Sequence, residues 1–176
     1  MEDQLKREFS VLSQNFVAVA LIPTKNHDEV GVQALRTLLA RDAGTGCYIT
    51  AAKPSATLRE LFTLNGVPMK RVQFVDCISG DHGKGDAAIQ YTASPHDLTG
   101  IGIQLGKFAP KFAILDSLNA LLLHNSRSEV LRFLHALISG CRSARRTLLI
   151  IGLAEDSDHP LITELEQFCD AVIELR

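Results

Sequence analysis

Lys111-Phe-Ala-Ile-Leu-Asp-Ser-Leu-Asn-Ala-Leu-Leu-Leu123 is the stretch that decides the fold. Phe112 to Leu115 is a continuous apolar run of strand length, suited to a strand buried on both faces of a parallel sheet. It stops abruptly at Asp116 and Ser117. Ligands of open parallel sheets sit outside the carboxyl ends of the strands, so a carboxylate at this point is well placed for chemistry. The plainer alternative is that Asp116 caps the turn that follows, and on that reading Asp116→Asn costs ~1 kcal/mol or less.

Working outward, similar apolar runs recur at 16–22, 47–51, 72–77, 147–151 and 171–175. Between them lie helical patterns. One runs from the loop 23–28 to about Arg41, with Val32, Leu35, Leu38 and Leu39 on its core face. A second, 57–64, starts after Pro54-Ser55 and stops at Asn65-Gly66. A third, 97–107, is interrupted by Gly100, Gly102 and Gly106. The strongest opens at Ser126 or Ser128 and places Val130, Leu131, Leu134, Leu137, Ile138 and Cys141 on one wide apolar face. A last helix, 161–168, follows His159-Pro160. Strands alternating with helices predict an α/β fold, a three-layer sandwich with a mainly parallel sheet. Residues 78–94 show no periodicity and carry Gly80, Gly83 and Gly85, which predicts a mobile loop, hairpin or lid. Residues 1–14 form an amphipathic helix with Leu5, Phe9 and Leu12 on one side, and 15–176 form a single domain.

The totals narrow the function classes. A chain of 176 residues can bury roughly two thirds of its unfolded surface without staples. With 46% hydrophobic residues and a formal net charge of −2, no strong positive field exists to hold nucleic acid. Arg142, Arg145 and Arg146 fall at the end of the strongest helix, where cations favour the helix dipole. The four cysteines, at 47, 77, 141 and 169, have no CxxC spacing and are expected as reduced, mostly buried thiols. No run is long enough to span a membrane and no signal-peptide pattern opens the chain, so a soluble cytoplasmic protein is expected.

The order of elements resembles RecA-type ATPase domains, with a P-loop NTPase core, and within them the KaiC-like proteins common in archaea and some bacteria. The matching stretches are Phe112-Ala-Ile-Leu-Asp-Ser-Leu-Asn-Ala-Leu121 for the Walker B strand and Val72-Gln-Phe-Val-Asp76 for an earlier strand. Thr147-Leu-Leu-Ile-Ile151 and Cys169-Asp-Ala-Val-Ile-Glu-Leu175 match the C-terminal pair. The resemblance implies that Asp116 holds magnesium beside a bound nucleotide, directly or through water.

The phosphate-binding signature is absent. A Walker A loop reads G-x-x-x-x-G-K-[ST] between the first strand and its helix. The same eight positions here read Pro23-Thr-Lys-Asn-His-Asp-Glu-Val30. Both glycines, the lysine and the hydroxyl are replaced, by Pro23, Asp28, Glu29 and Val30. Two carboxylates within ~4–6 Å of a triphosphate repel it by kilocalories in a poorly solvated site. The acidic residues that KaiC-like enzymes usually carry after the second strand are also missing, since Thr50-Ala-Ala-Lys-Pro54 contains no acid. Of the parts the resemblance implies, only Asp116 remains. Gly80-Asp-His-Gly-Lys-Gly-Asp86 is not a substitute phosphate loop, because Gly85 follows the lysine where Ser or Thr is needed. The six histidines show no metal-ligand spacing. Ser117 with His124 has no nucleophile elbow around it.

The expectation is therefore a catalytically inactive RecA/KaiC-like domain, a pseudo-ATPase, acting through protein–protein contacts as a regulatory or scaffold module. No catalytic residue, metal or cofactor is expected. Asp116, Ser117 and Lys25 stand as remnants of a site, and Lys25 with His27 could draw a small anion to the loop. The expected partner is a protein, such as an active KaiC-like ATPase or a signalling protein, or a second copy of the chain docked through Leu5, Phe9 and Leu12, a face that could equally fold back over the chain's own sheet edge. Two alternatives stay open: a divergent ATP- or GTP-binding ATPase using Asp116 and magnesium, and a small-molecule sensor using the former nucleotide crevice.

Overall fold

Six of the apolar runs become six of the seven strands of one sheet in a computed structural model, which describes residues 2–80, 86–156 and 160–175. In chain order the strands are β1 (Val17–Ile22), β2 (Gly46–Thr50), β3 (Val72–Asp76), β4 (Ile89–Tyr91), β5 (Phe112–Asp116), β6 (Thr147–Leu153) and β7 (Ala171–Glu174). All pair in parallel, in the spatial order β4-β3-β2-β5-β6-β1-β7. β1 and β5 thus lie on either side of β6, and the register sets Thr50 of β2 opposite Asp116 of β5.

Parallel strands need crossover connections, and the helices that supply them cover both faces. α1 (Glu2–Ser10), α2 (His27–Arg41) and α3 (Ser55–Leu64) cover one face; α4 (Leu98–Phe108), α5 (Leu118–His124), α6 (Arg127–Ser143) and α7 (Pro160–Glu166) cover the other. The period of two along each strand divides the core. Val17, Val19, Leu21, Ala113 and Leu115 point to the α4–α7 side, while Ala18, Ala20, Ile22, Tyr48 and Ile114 point to the α1–α3 side. The result is the three-layer α/β sandwich that the alternation predicts.

Three elements differ from the sequence expectation. Residues 89–91, read as loop, form β4, an edge strand parallel to β3, so the segment is not a hairpin. Three residues are too few to show a period, and only Ile89 is buried. The glycine-rich stretch around Gly83 and Gly85, expected to be mobile, lies outside the described residues, as does His159 before α7. Leu118–His124 forms a separate short helix, α5, which the apolar run had concealed. The N-terminal helix ends at Ser10, and its Leu5 and Phe9 are fully covered. Phe9 lies against Phe16, and Arg41 reaches across from α2 to the carbonyls of Phe9, Leu12 and Ser13. The face expected to dock on a second copy is packed on the chain's own core, because Phe16 and α2 present the apolar surface it needs.

α6 opens with a full capping box: Ser126 accepts from the Glu129 amide, and the Glu129 carboxylate accepts from the Ser126 amide. At its far end Arg142 donates to the Phe168 carbonyl and pairs with Asp170, and Arg146 donates to the Pro110 carbonyl. The arginine cluster ties the end of the helix to neighbouring loops. No helix among the described residues is long and apolar enough to cross a membrane.

Candidate functional site

The carboxyl ends of β1, β2, β5 and β6 open on a cleft of about 640 Å³. Its rim is built by the turn after β1. Pro23 ends the strand, Thr24–Asn26 makes one tight turn, and α2 starts at His27. This is the segment aligned above with a Walker A loop, and each of its altered positions has a structural occupation. The Asp28 carboxylate pairs with Lys53, which follows β2. Glu29 accepts a 2.7 Å hydrogen bond from Gln33 one turn along α2. Val30 is fully buried in the core.

Asp116 is buried under this rim. Its position in β5 has the parity of Phe112 and Ile114, so the side chain points to the α2 side. Tyr48, two residues before Thr50 on β2, donates from its hydroxyl to Oδ2 at 2.6 Å. His27 brings Nε2 to 2.6 Å from Oδ1, an ion-pair contact off the straight N–H line, and its other nitrogen lies 3.7 Å from the Asp28 carboxylate. The helix leaves room for this. A Cβ at Gly31 would stand 2.8 Å from the Tyr48 hydroxyl, so the absence of a side chain lets the phenol reach Asp116. The contact with Asp116 raises the His27 pKa above its ordinary 6.5, against the opposing effect of burial, with the Asp116 and Asp28 charges adding to the rise. Burial, then the charge and hydrogen bond of Asp116, hold the Tyr48 phenol well above its ordinary range.

Ser117, across a cis peptide bond from Asp116, takes the capping role considered for Asp116: its hydroxyl accepts from the Ala120 amide at 3.3 Å and opens α5. The cap reading of Asp116 is corrected accordingly, since its two oxygens face Tyr48 and His27. Lys25 is exposed on the same rim. The structure therefore gathers Lys25 and Ser117 around the cleft, with Asp116 beneath it. It adds His27 as a half-buried partner of the carboxylate, where the sequence suggested only an anion-attracting loop residue, and Tyr48, which was missed. Tyr48 shares the face of Thr50, and only the β2–β5 register, which no local pattern announces, sets that face beside Asp116.

A second buried carboxylate, Asp76, ends β3. It accepts from the amides of Ser55, Ile78 and Ser79 and from the Ser79 hydroxyl, at 2.7–2.9 Å. Burial pushes its pKa up, but these donors outweigh it and the group stays below the usual carboxylate range. Asp76 fastens the start of α3 and the loop after β3. The four cysteines are free thiols, and burial pushes Cys77 up to about 12. Among the described residues no group of three or more His, Cys, Asp or Glu side chains is placed to hold a metal ion.

A seven-stranded parallel sheet with helices on both faces gives the chain the α/β fold seen in KaiC-like proteins. Two solved structures share it. The KaiC-like protein PH0186 from Pyrococcus horikoshii superposes with a TM-score of 0.65 at 15% identity, over 93% of this chain and 74% of that one. The uncharacterized protein PH0321 from the same organism, solved in complex with an unknown peptide, gives 0.72 at 14% identity, over 99% of this chain and 82% of that one. By sequence the chain belongs to a family of unknown function, DUF7504, whose profile matches residues 20–175. No curated protein matches it.

Proposed function

We propose that this chain is a RecA/KaiC-like domain without nucleotide chemistry, a pseudo-ATPase that works through contacts with other proteins as a regulatory or scaffold module. The observation that carries the proposal is the state of Asp116. A magnesium ion needs open carboxylate oxygen in near-octahedral geometry, and here Oδ1 faces His27 and Oδ2 holds Tyr48. The remaining donors do not fit a magnesium–triphosphate either. The position that would offer a magnesium-binding hydroxyl is the buried Val30, and the position of the phosphate-binding lysine is Glu29, bonded to Gln33. Lys53 could meet a phosphate only by leaving Asp28. These residues offer no route to hydrolysis of a triphosphate.

The contact half of the proposal rests on what is left, a well-specified sheet and helices without reaction chemistry at the strand ends. PH0321, of the same fold, was solved with a peptide bound, which supports a peptide or protein partner here. An active KaiC-like ATPase or a signalling protein is the partner class we favour. Calorimetric titration with MgATP, combined with phosphate-release assays, tests the first half. Millimolar binding or none, without turnover, is expected. A micromolar dissociation constant, with turnover lost in Asp116→Ala, would overturn it.

A further inference from the structure

The turn after β1 is fastened to the ends of three other strands. The Thr24 amide donates to Glu155 after β6, Asp28 pairs with Lys53 after β2, and His27 meets Asp116 at the end of β5. Only the last of these reaches beneath the cleft. The His27 ring lies between two carboxylates, with Nε2 2.6 Å from Asp116 and Nδ1 3.7 Å from Asp28. An imidazole that meets a carboxylate at each nitrogen is in its cationic form, because only that form carries a proton on both.

The surrounding charges show what the ring supplies. Asp116 is buried, and the hydrogen bond from Tyr48 is neutral. Lys53 compensates Asp28, and Lys25 on the rim pairs with neither carboxylate. Two negative groups therefore face His27 with a single lysine between them. A buried carboxylate without a compensating cation is strongly disfavoured, so the ring is the counter-charge of Asp116. The divalent cation implied by the sequence resemblance would need Oδ1, which His27 covers.

We infer that His27 is a built-in replacement for a divalent cation: its ring bridges Asp116 and Asp28, bars metal from the strand ends, and keeps the turn between β1 and α2 fastened without a ligand. The inference rests on the pseudo-ATPase reading and deepens it, since the surface offered to a partner then has a shape independent of nucleotide.

The test uses the intact chain, His27→Ala, His27→Lys and the double variant His27→Ala with Asp116→Asn, with MnCl2 and MgCl2 as probes. Manganese binding is read by water-proton relaxation, and the fastening of the turn by hydrogen exchange at the amides of residues 24–30. The wild-type chain should take up no manganese at the strand ends and should exchange equally with and without magnesium. His27→Ala should exchange at least about tenfold faster through the turn. It should also bind manganese saturably, and magnesium should restore both its protection and its melting temperature, because a cation that binds only the folded chain stabilises it. Adding Asp116→Asn should abolish the binding and the recovery. His27→Lys keeps the charge and should exclude manganese as the wild type does. Where His27→Ala is unfolded in the absence of metal, magnesium should refold it.

Manganese bound by the wild type at a site lost in Asp116→Asn would overturn the inference. So would a His27→Ala chain that no metal tightens or refolds, or a recovery that survives Asp116→Asn. Those results, with MgATP still ignored by the wild type, leave the pseudo-ATPase reading standing. MgATP turnover by the wild type would instead remove that reading, and the inference with it.

Discussion

Asp116 has two partners, and removing it strands both. Tyr48 would keep a buried hydroxyl without an acceptor, and His27 would lose the group that favours its charge. Asp116→Ala should therefore destabilise the domain by roughly 1–3 kcal/mol in denaturant melts, the cost of an orphaned buried donor. Asp116→Asn should fall between wild type and alanine, and a change within error would return Asp116 to the rank of a cap. The same pair makes stability depend on pH. The folded-state pKa of His27 lies above its ordinary value, so the folded chain holds the proton more tightly than the unfolded one. The contribution is complete below about 6.5, the pKa expected when unfolded, and is lost as pH rises through the folded value. Melting temperature should decline over that window in the wild type, and the decline attributable to this group should vanish in His27→Gln. An unchanged pH profile in that variant would show that the imidazole does not titrate against Asp116. None of this pairing was legible from local sequence. It joins residues from a turn, β2 and β5, which only the register of the sheet brings together.

At the scale of elements, long periodic segments were readable because burial repeats along them. Val130 to Cys141 shows the face of α6 within the sequence, and the run 112–115 shows β5. β4 and α5 were not readable, the first because three edge residues carry no period, the second because Leu118 to Leu123 is apolar on nearly every side. α1 was found, but its role was not, since an amphipathic helix looks the same whether it meets its own core or a neighbour. The structure covers Leu5 and Phe9 completely and binds the chain after the helix through Arg41. Deleting residues 1–14 should consequently uncover Phe16 and the α2 surface and lower stability by several kcal/mol, at roughly 1.5–3 kcal/mol for each large buried side chain lost. Circular dichroism melts of the truncated and full chains measure this. An unaltered melting temperature would show that the helix is dispensable to the core and free to serve elsewhere.

For the whole molecule, the strand order has a consequence for how the chain comes to be made. β1 is the first strand of this sheet along the chain, yet among the described residues it pairs only with β6 and β7, at Thr147–Leu153 and Ala171–Glu174. β2 and β3 can pair as soon as both exist, whereas Val17–Ile22, six apolar residues with both edges open, must wait for the last part of the domain. Contacts so distant along the chain form slowly, and an unpaired apolar strand invites association with other chains while it waits. On the ribosome, at about 5–20 residues per second, the interval amounts to several seconds or more. Through that interval α1 and α2, which precede and follow β1 in the nascent chain, are the local surfaces able to shield one of its faces. The helix that ends as part of the core can thus also serve earlier as a temporary cover, a kind of built-in chaperone for the strand beside it.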